Sequence, residues 1–145
     1  MESSSPARVL VTAHKTATTP SLVEAVRERA ARGPAIFTLV VPNVAHGLHR
    51  VVDAEDQDQT EAEAVIAAAL PVLQEAAGGQ VRGIIGDPNP LDAIQDAVNI
   101  YGFDEIIIST LPAKVSRWLR LDLPSKLKGL GLPVTTVTAD EVVKV

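Results

Sequence analysis

Hydrophobic and polar positions alternate along the chain in two rhythms. Short aliphatic runs, "RVLVTA" from Arg8 to Ala13, "AIFTLVVP" from Ala35 to Pro42, "QVRGIIG" from Gln80 to Gly86, "EIIIST" and "LPVTTVTA" from Leu132 to Ala139, predict buried strands. Helix-period segments separate them. A first helix is expected from Pro20 to Arg32, with Thr19 as N-cap, Leu22, Val23 and Val26 on its buried side, and Gly33 as its stop. Thr60 and Glu63 form a capping-box pattern before a second helix with Ile66, Ala69, Leu70 and Leu73 on one face; Pro71 inside it predicts a kink. "DPNPLDAIQDAVNIYG" opens with doubled start signals, Asp87 before Pro88 and Asn89 before Pro90, and carries a buried stripe of Leu91, Ile94, Val98 and Tyr101. The last crossover, from Lys114 to Gly131, contains Pro124, which is expected to break it in the middle.

Strands separated by helical crossovers predict a parallel sheet covered on both faces, because right-handed crossovers of this length place helices there. In such a sheet ligands sit at the carboxyl ends of the strands. That rule points to Thr12 through Thr16, to Val41 and Pro42, to Gly86 and Asp87, and to Ser109 onward.

Composition narrows the picture. With 145 residues, 46% of them hydrophobic and only 3% aromatic, the chain fits one aliphatic-cored domain spanning residues 1–145, with residues 1–7 expected to be unstructured. A net charge of −5 disfavours a general nucleic-acid partner. The absence of cysteine excludes disulfides and thiolate chemistry. No signal pattern opens the sequence and no apolar run reaches membrane-spanning length, so a soluble, cytoplasmic protein is expected.

Candidate chemistry is concentrated after the fourth strand. Ser109, Thr110, Ser116 and Ser125 offer hydroxyls, and residues 114–128 hold five of the thirteen Lys and Arg residues, Arg117 and Arg120 among them. Together they could bind an anion, helped by the start of the short helix that follows. The plainer reading is a solvated basic helix with Trp118, Leu119 and Leu123 toward the core. His14, directly after the first strand, is the best placed histidine. Gly86 reads as a strand-to-helix turn that also allows close approach of a ligand. His46 and His49, with Asp53 beyond, lack the helical periodicity a shared metal face would need, and the acidic run from Asp53 to Glu63 reads as a solvated helix start. There is no P-loop, no G-x-G-x-x-G and no G-x-S-x-G. A magnesium-binding receiver site would need clustered acids, which "VTAHK" does not supply.

The order of elements, with "RVLVTAHKTATTPSL", "GDPNPLDAI" and "FDEIIIST" leading to "LPVTTV", resembles the universal stress protein family from about Arg8 to Thr138. The resemblance implies a Rossmann-like, adenine nucleotide alpha hydrolase-like three-layer α/β sandwich. Its five parallel strands would run in the order 3-2-1-4-5, with homodimers formed through the last strand. Family members that bind ATP carry an acid after the first strand, and after the fourth a Gly, two residues, a second Gly, nine residues, then Gly-Ser or Gly-Thr. Here His14 stands at the acid position and Thr16 at the nearby hydroxyl; Ser109 replaces the first glycine, Pro112 lies near the second, and Asp122 to Ser125 near the last pair. Proline has no N–H to give a phosphate, and a Cβ obstructs close approach, so ATP or another nucleotide held by a backbone cradle is disfavoured.

The expectation is thus a non-catalytic stress-response or regulatory protein, a homodimer with no metal, that binds a small anionic ligand at Thr12, Ala13, His14, Thr16, Val41, Gly86, Ser109, Thr110, Ser116, Arg117, Arg120 and Ser125. Two other readings stay open. One is a small enzyme acting on a phosphorylated metabolite, with His14 as base and Arg117 to Arg120 as anion clamp. The other is an interaction module that uses the Trp118 region.

Overall fold

The computed structural model describes residues 5–43, 61–112 and 116–139. The elements in chain order are β1 (Ala7–Thr12), α1 (Pro20–Ala31), β2 (Ala35–Pro42), α2 (Glu61–Ala77), β3 (Val81–Gly86), α3 (Pro90–Tyr101), β4 (Glu105–Thr110), α4 (Arg117–Arg120), α5 (Leu123–Lys128) and β5 (Val134–Thr138). All strand pairs are parallel and the order is β3-β2-β1-β4-β5. The chain therefore reverses direction of winding at β1, with β2 on one side and β4 on the other, and a crevice opens between their carboxyl ends.

Alternation along the strands divides the core into two layers. Val9 and Val11 of β1 and Ile107 of β4 pack with Leu22 and Val26 of α1 and Leu73 of α2. Leu10, Ile106 and Ile108 point to the other face, against Ile94 and Ala97 of α3 and Leu123 and Leu127 of α5. Both faces are thus buried, which is why the strands are nearly continuous aliphatic runs.

The helix starts follow their capping chemistry. Asn89 accepts hydrogen bonds at Oδ1 from the Leu91 and Asp92 N–H groups at 2.9 and 3.1 Å, and Asp87 accepts from the Asn89 N–H at 2.9 Å. Thr19 stands at the N-cap of α1, but its side chain does not cap; its hydroxyl donates to the Thr16 carbonyl at 3.0 Å and tightens the preceding turn. An ion pair ties the end of α1 to the start of β4, with Arg29 Nε and Nη2 both 3.0 Å from Glu105 Oε2.

Several expectations are corrected. Pro124 does not break the last crossover from within; it stands in the first turn of α5, where its missing N–H costs no helical bond. The chain reverses instead at Asp122, a non-glycine residue in the left-handed region with φ 60°. Tyr101, expected in the buried stripe of α3, is 40% exposed, with Arg82 stacked over its ring 4.8 Å from the centroid. The small residues Ala93 and Ala97 take the core positions with Ile94, while Leu91 and Val98 pack at the margin. As expected from sequence, Pro71 lies inside α2, which runs from Glu61 to Ala77. Strand β1 begins at Ala7, the last residue of the segment expected to lack structure. The Thr60 cap, the His46, His49 and Asp53 set, most of the acidic run and Lys114 lie outside the described residues.

Candidate functional site

A cavity of about 460 Å³ lies at the carboxyl ends of β1 and β4. The turn after β1 contributes His14, Lys15 and Thr16; the end of β4 contributes Ser109, Thr110 and Leu111. The start of α3 forms one wall with Pro88, Asn89 and Pro90, α4 forms another with Ser116, Arg117, Trp118 and Leu121, and Glu61 reaches in from the start of α2. Its volume falls in the range of small-molecule sites, about 300–1,000 Å³.

The hydroxyls around the cavity are already engaged within the chain. Thr16 Oγ1 and Ser109 Oγ share a buried hydrogen bond of 2.6 Å that clasps the turn after β1 to the end of β4. Ser116 Oγ accepts from the Leu119 N–H at 3.0 Å, capping α4, and Thr110 Oγ1 donates to Thr138 Oγ1 at 3.5 Å. These side chains shape the crevice first. Their remaining O–H donors are what they can offer a ligand.

Two buried polar atoms at the end of β1 have no hydrogen-bond partner among the described residues, Thr12 Oγ1 and His14 Nε2. An unpaired buried group costs about 1–3 kcal/mol, so such atoms collect where a partner is supplied from outside the chain. Burial pushes the His14 imidazole below its ordinary pKa of 6.5; the Glu61 carboxylate opposes that shift and the Lys15 ammonium adds to it. His14 is therefore neutral at pH 7, able to accept or donate at either ring nitrogen according to tautomer. The charged groups lining the cavity among the described residues are Lys15, Arg117 and Glu61.

Of the residues singled out from sequence, the fold brings His14, Thr16, Ser109, Thr110, Ser116 and Arg117 to this cavity. Thr12, Ala13 and Val41 are fully buried and do not line it. Gly86 is half-buried against α3, where an added Cβ would come within 2.7 Å of the Ala93 Cβ; its role is close helix–strand packing. Arg120 and Ser125 are exposed and do not line the cavity. The basic segment after β4 therefore contributes one cation to the crevice among the described residues, not a row of them.

Lys15, Glu61, Leu111, Leu121 and the Pro88–Pro90 turn were not singled out as ligand-binding residues by sequence, and Trp118 was singled out only as an interaction surface. Lys15 lies inside the 12–16 span that the strand-end rule indicates, beside the more conspicuous His14. The prolines and Asn89 read as helix-start chemistry, which they also perform. Trp118, the chain's sole tryptophan, lies in α4 on the cavity wall.

No protein-family profile matches the chain, and no curated protein matches it. Solved structures do. The universal stress protein from Archaeoglobus fulgidus superposes with a TM-score of 0.62 at 18% identity, over 90% of this chain and 93% of that one. A universal stress protein solved in complex with cAMP gives 0.60 at 14% identity, over 94% of this chain and 100% of the other. A universal stress protein family protein from Arabidopsis thaliana with AMP bound gives 0.59 at 17% identity, over 93% of each chain. With its five parallel strands in the order β3-β2-β1-β4-β5 and helices on both faces, the chain has the fold of the universal stress proteins.

Proposed function

We propose that this chain is a universal stress protein of a non-catalytic, regulatory kind, cytoplasmic and homodimeric, that binds a nucleotide in the crevice at the carboxyl ends of β1 and β4. The observation that carries the reading is the cavity itself: about 460 Å³ at the reversal point of the sheet, with Lys15 and Arg117 on it and the unpaired Nε2 of His14 after the end of β1. The AMP and cAMP complexes of proteins with this fold supply the ligand class. The usual ATP cradle is disfavoured by these residues, because Pro112 has no N–H to give a phosphate.

The fold gives this role a simple physical basis. A ligand that bridges the turn after β1 and α4 adds to the buried Thr16–Ser109 hydroxyl pair that already holds that turn to the end of β4, so its binding stabilises that end of the sheet. β5 lies at the edge of the sheet, with β4 on one side, and an edge of this kind is suited to pairing with a second copy. Sedimentation equilibrium at high micromolar concentration should give the mass of a dimer; a monomer would remove that part of the proposal.

Equilibrium dialysis with labelled AMP, followed by chromatography of the recovered nucleotide, tests the rest. Saturable binding with the nucleotide returned unchanged is expected. Absence of binding up to millimolar concentration, which corresponds to an affinity weaker than about −4 kcal/mol, overturns the nucleotide reading. Conversion of the nucleotide that His14→Ala abolishes in a folded protein would replace it with the enzyme reading, for which the unpaired Nε2 of His14, on a residue lining the cavity, is the specific support.

A further inference from the structure

The lining of the crevice narrows the ligand further. We infer that the site selects a ligand with a single phosphate and a flat ring, clamped by the side chains of Lys15 and Arg117 and packed against Trp118, without a divalent cation. This rests on the nucleotide-binding reading above and deepens it.

Charge is the first argument. The described residues lining the cavity carry two cations, Lys15 and Arg117, and one acid, Glu61, a formal sum of 2 − 1 = +1. A monophosphate carries about −1.5 to −2 near pH 7, its second pKa being about 6, and leaves little unmatched charge there. A triphosphate brings a larger excess, which this lining leaves to solvent or to an added metal ion.

Donor geometry is the second argument. A polyphosphate is usually wrapped by successive backbone N–H groups at a glycine-rich turn. Here the turn after β4 passes through Leu111 and Pro112, and Pro112 has no N–H to give; Ser116 Oγ accepts from the Leu119 N–H at 3.0 Å and keeps its O–H as a donor. Among the described residues, Lys15 and Arg117 are the cations that line the cavity. Lys15 comes from the turn leading to α1 and Arg117 from α4, so the two cations line the cavity from different segments. Arg117 can offer two parallel N–H donors to a phosphate, and Lys15 a compact charge.

The cavity also has an apolar wall. Leu121 is 50% exposed and Trp118 is half-buried, both on the cavity with Leu111 beside them. Large apolar groups left partly in water on a concave surface gain by covering, and an indole face accepts a planar heterocycle, a stack worth about 1–3 kcal/mol per base in nucleic-acid binders. A flat base joined to one phosphate meets both the wall and the cations. A free inorganic anion meets only the cations.

Isothermal titration calorimetry with AMP, adenosine, inorganic phosphate and Mg-ATP, each nucleotide also in EDTA, tests this. AMP should bind in EDTA at least about tenfold more tightly than adenosine, phosphate or Mg-ATP, with a saturable change in the emission of Trp118, the chain's sole tryptophan. Lys15→Ala and Arg117→Ala should each weaken AMP by about tenfold, whereas Arg120→Ala, on an exposed residue away from the cavity, should leave it unchanged; circular dichroism establishes that the variants are folded. Tighter binding of Mg-ATP than of AMP, a requirement for the metal, or AMP affinity indifferent to both substitutions overturns the single-phosphate clamp while nucleotide binding stands. Failure of every nucleotide and nucleoside to bind overturns both.

Discussion

Gly86 tests how α3 is seated, and with it one wall of the site. A methyl group built on Gly86 lies 2.7 Å from Ala93 Cβ, 3.0 Å from Val40 Cγ2 and 3.3 Å from Ala93 Cα. Carbon atoms rest at about 3.5–4.0 Å, so the contact with Ala93 is short by about 1 Å. Relief by side-chain rotation is not available, because Ala93 has none and its Cα belongs to the helix backbone. The helix itself must move, and it carries Asn89 and Pro90 of the cavity wall. Overpacking of this kind costs about 1–3 kcal/mol; the smaller unfolded-state entropy of alanine returns about 0.4–1 kcal/mol. The net for Gly86→Ala is a loss of about 1–2 kcal/mol, which lowers Tm by about 3–8 °C for a chain of this size. Gly79→Ala is the control, since nothing lies within 4 Å of its added Cβ and its φ is not positive; it should be neutral or stabilising by a few tenths of a kcal/mol. Urea and thermal unfolding followed by far-ultraviolet circular dichroism read both. Equal stability of the two variants would refute the close packing of α3 on β3 and β2.

Three further outcomes follow from particular contacts. Arg29→Met should destabilise by about 1.5–3 kcal/mol in urea unfolding, because Glu105, 21% exposed, loses charge-assisted hydrogen bonds; the double variant Arg29→Met, Glu105→Leu should recover part of that loss. The folded-state pKa of His14 lies below the unfolded 6.5, so the folded protein holds fewer protons between those two values. Its contribution to stability is complete above pH 6.5 and is lost as pH falls below it through the folded value; the stability difference between the protein and His14→Gln should be flat above pH 6.5 and change below it. Asp122→Gly should raise stability by about 0.5–1 kcal/mol in the same assay, since glycine takes the φ 60° conformation without the Cβ penalty; a loss would mean that the Asp122 side chain holds the turn between α4 and α5.

The fold was legible because the sheet is buried on both faces. Continuous aliphatic runs located β2 and β4 to the residue, and the proline and asparagine signals located the starts of α1 and α3. What misled was context that a linear pattern does not carry. A proline ends one helix and begins another by the same chemistry, and only the left-handed turn at Asp122 makes Pro124 a beginning. Tyr101 continues the helical stripe of α3, yet it falls past the edge of the core and stacks under Arg82. The site was half legible for a related reason. The strand-end rule gives the right segments, but whether a side chain there enters the crevice depends on which way the chain leaves the sheet. That sends His14, Thr16 and Arg117 to the cavity, keeps Ala13 and Val41 in the core, and leaves Arg120 in solvent.

The claim that the crevice between β1 and β4 is a nucleotide site is tested most directly by a crystal structure of the protein grown with AMP. The account predicts electron density for the nucleotide in this cavity, its phosphate within hydrogen-bond distance of Lys15 Nζ or the Arg117 guanidinium and its base against Trp118. Nucleotide density at another place on the fold, or a crevice filled only by water at saturating AMP, would contradict it.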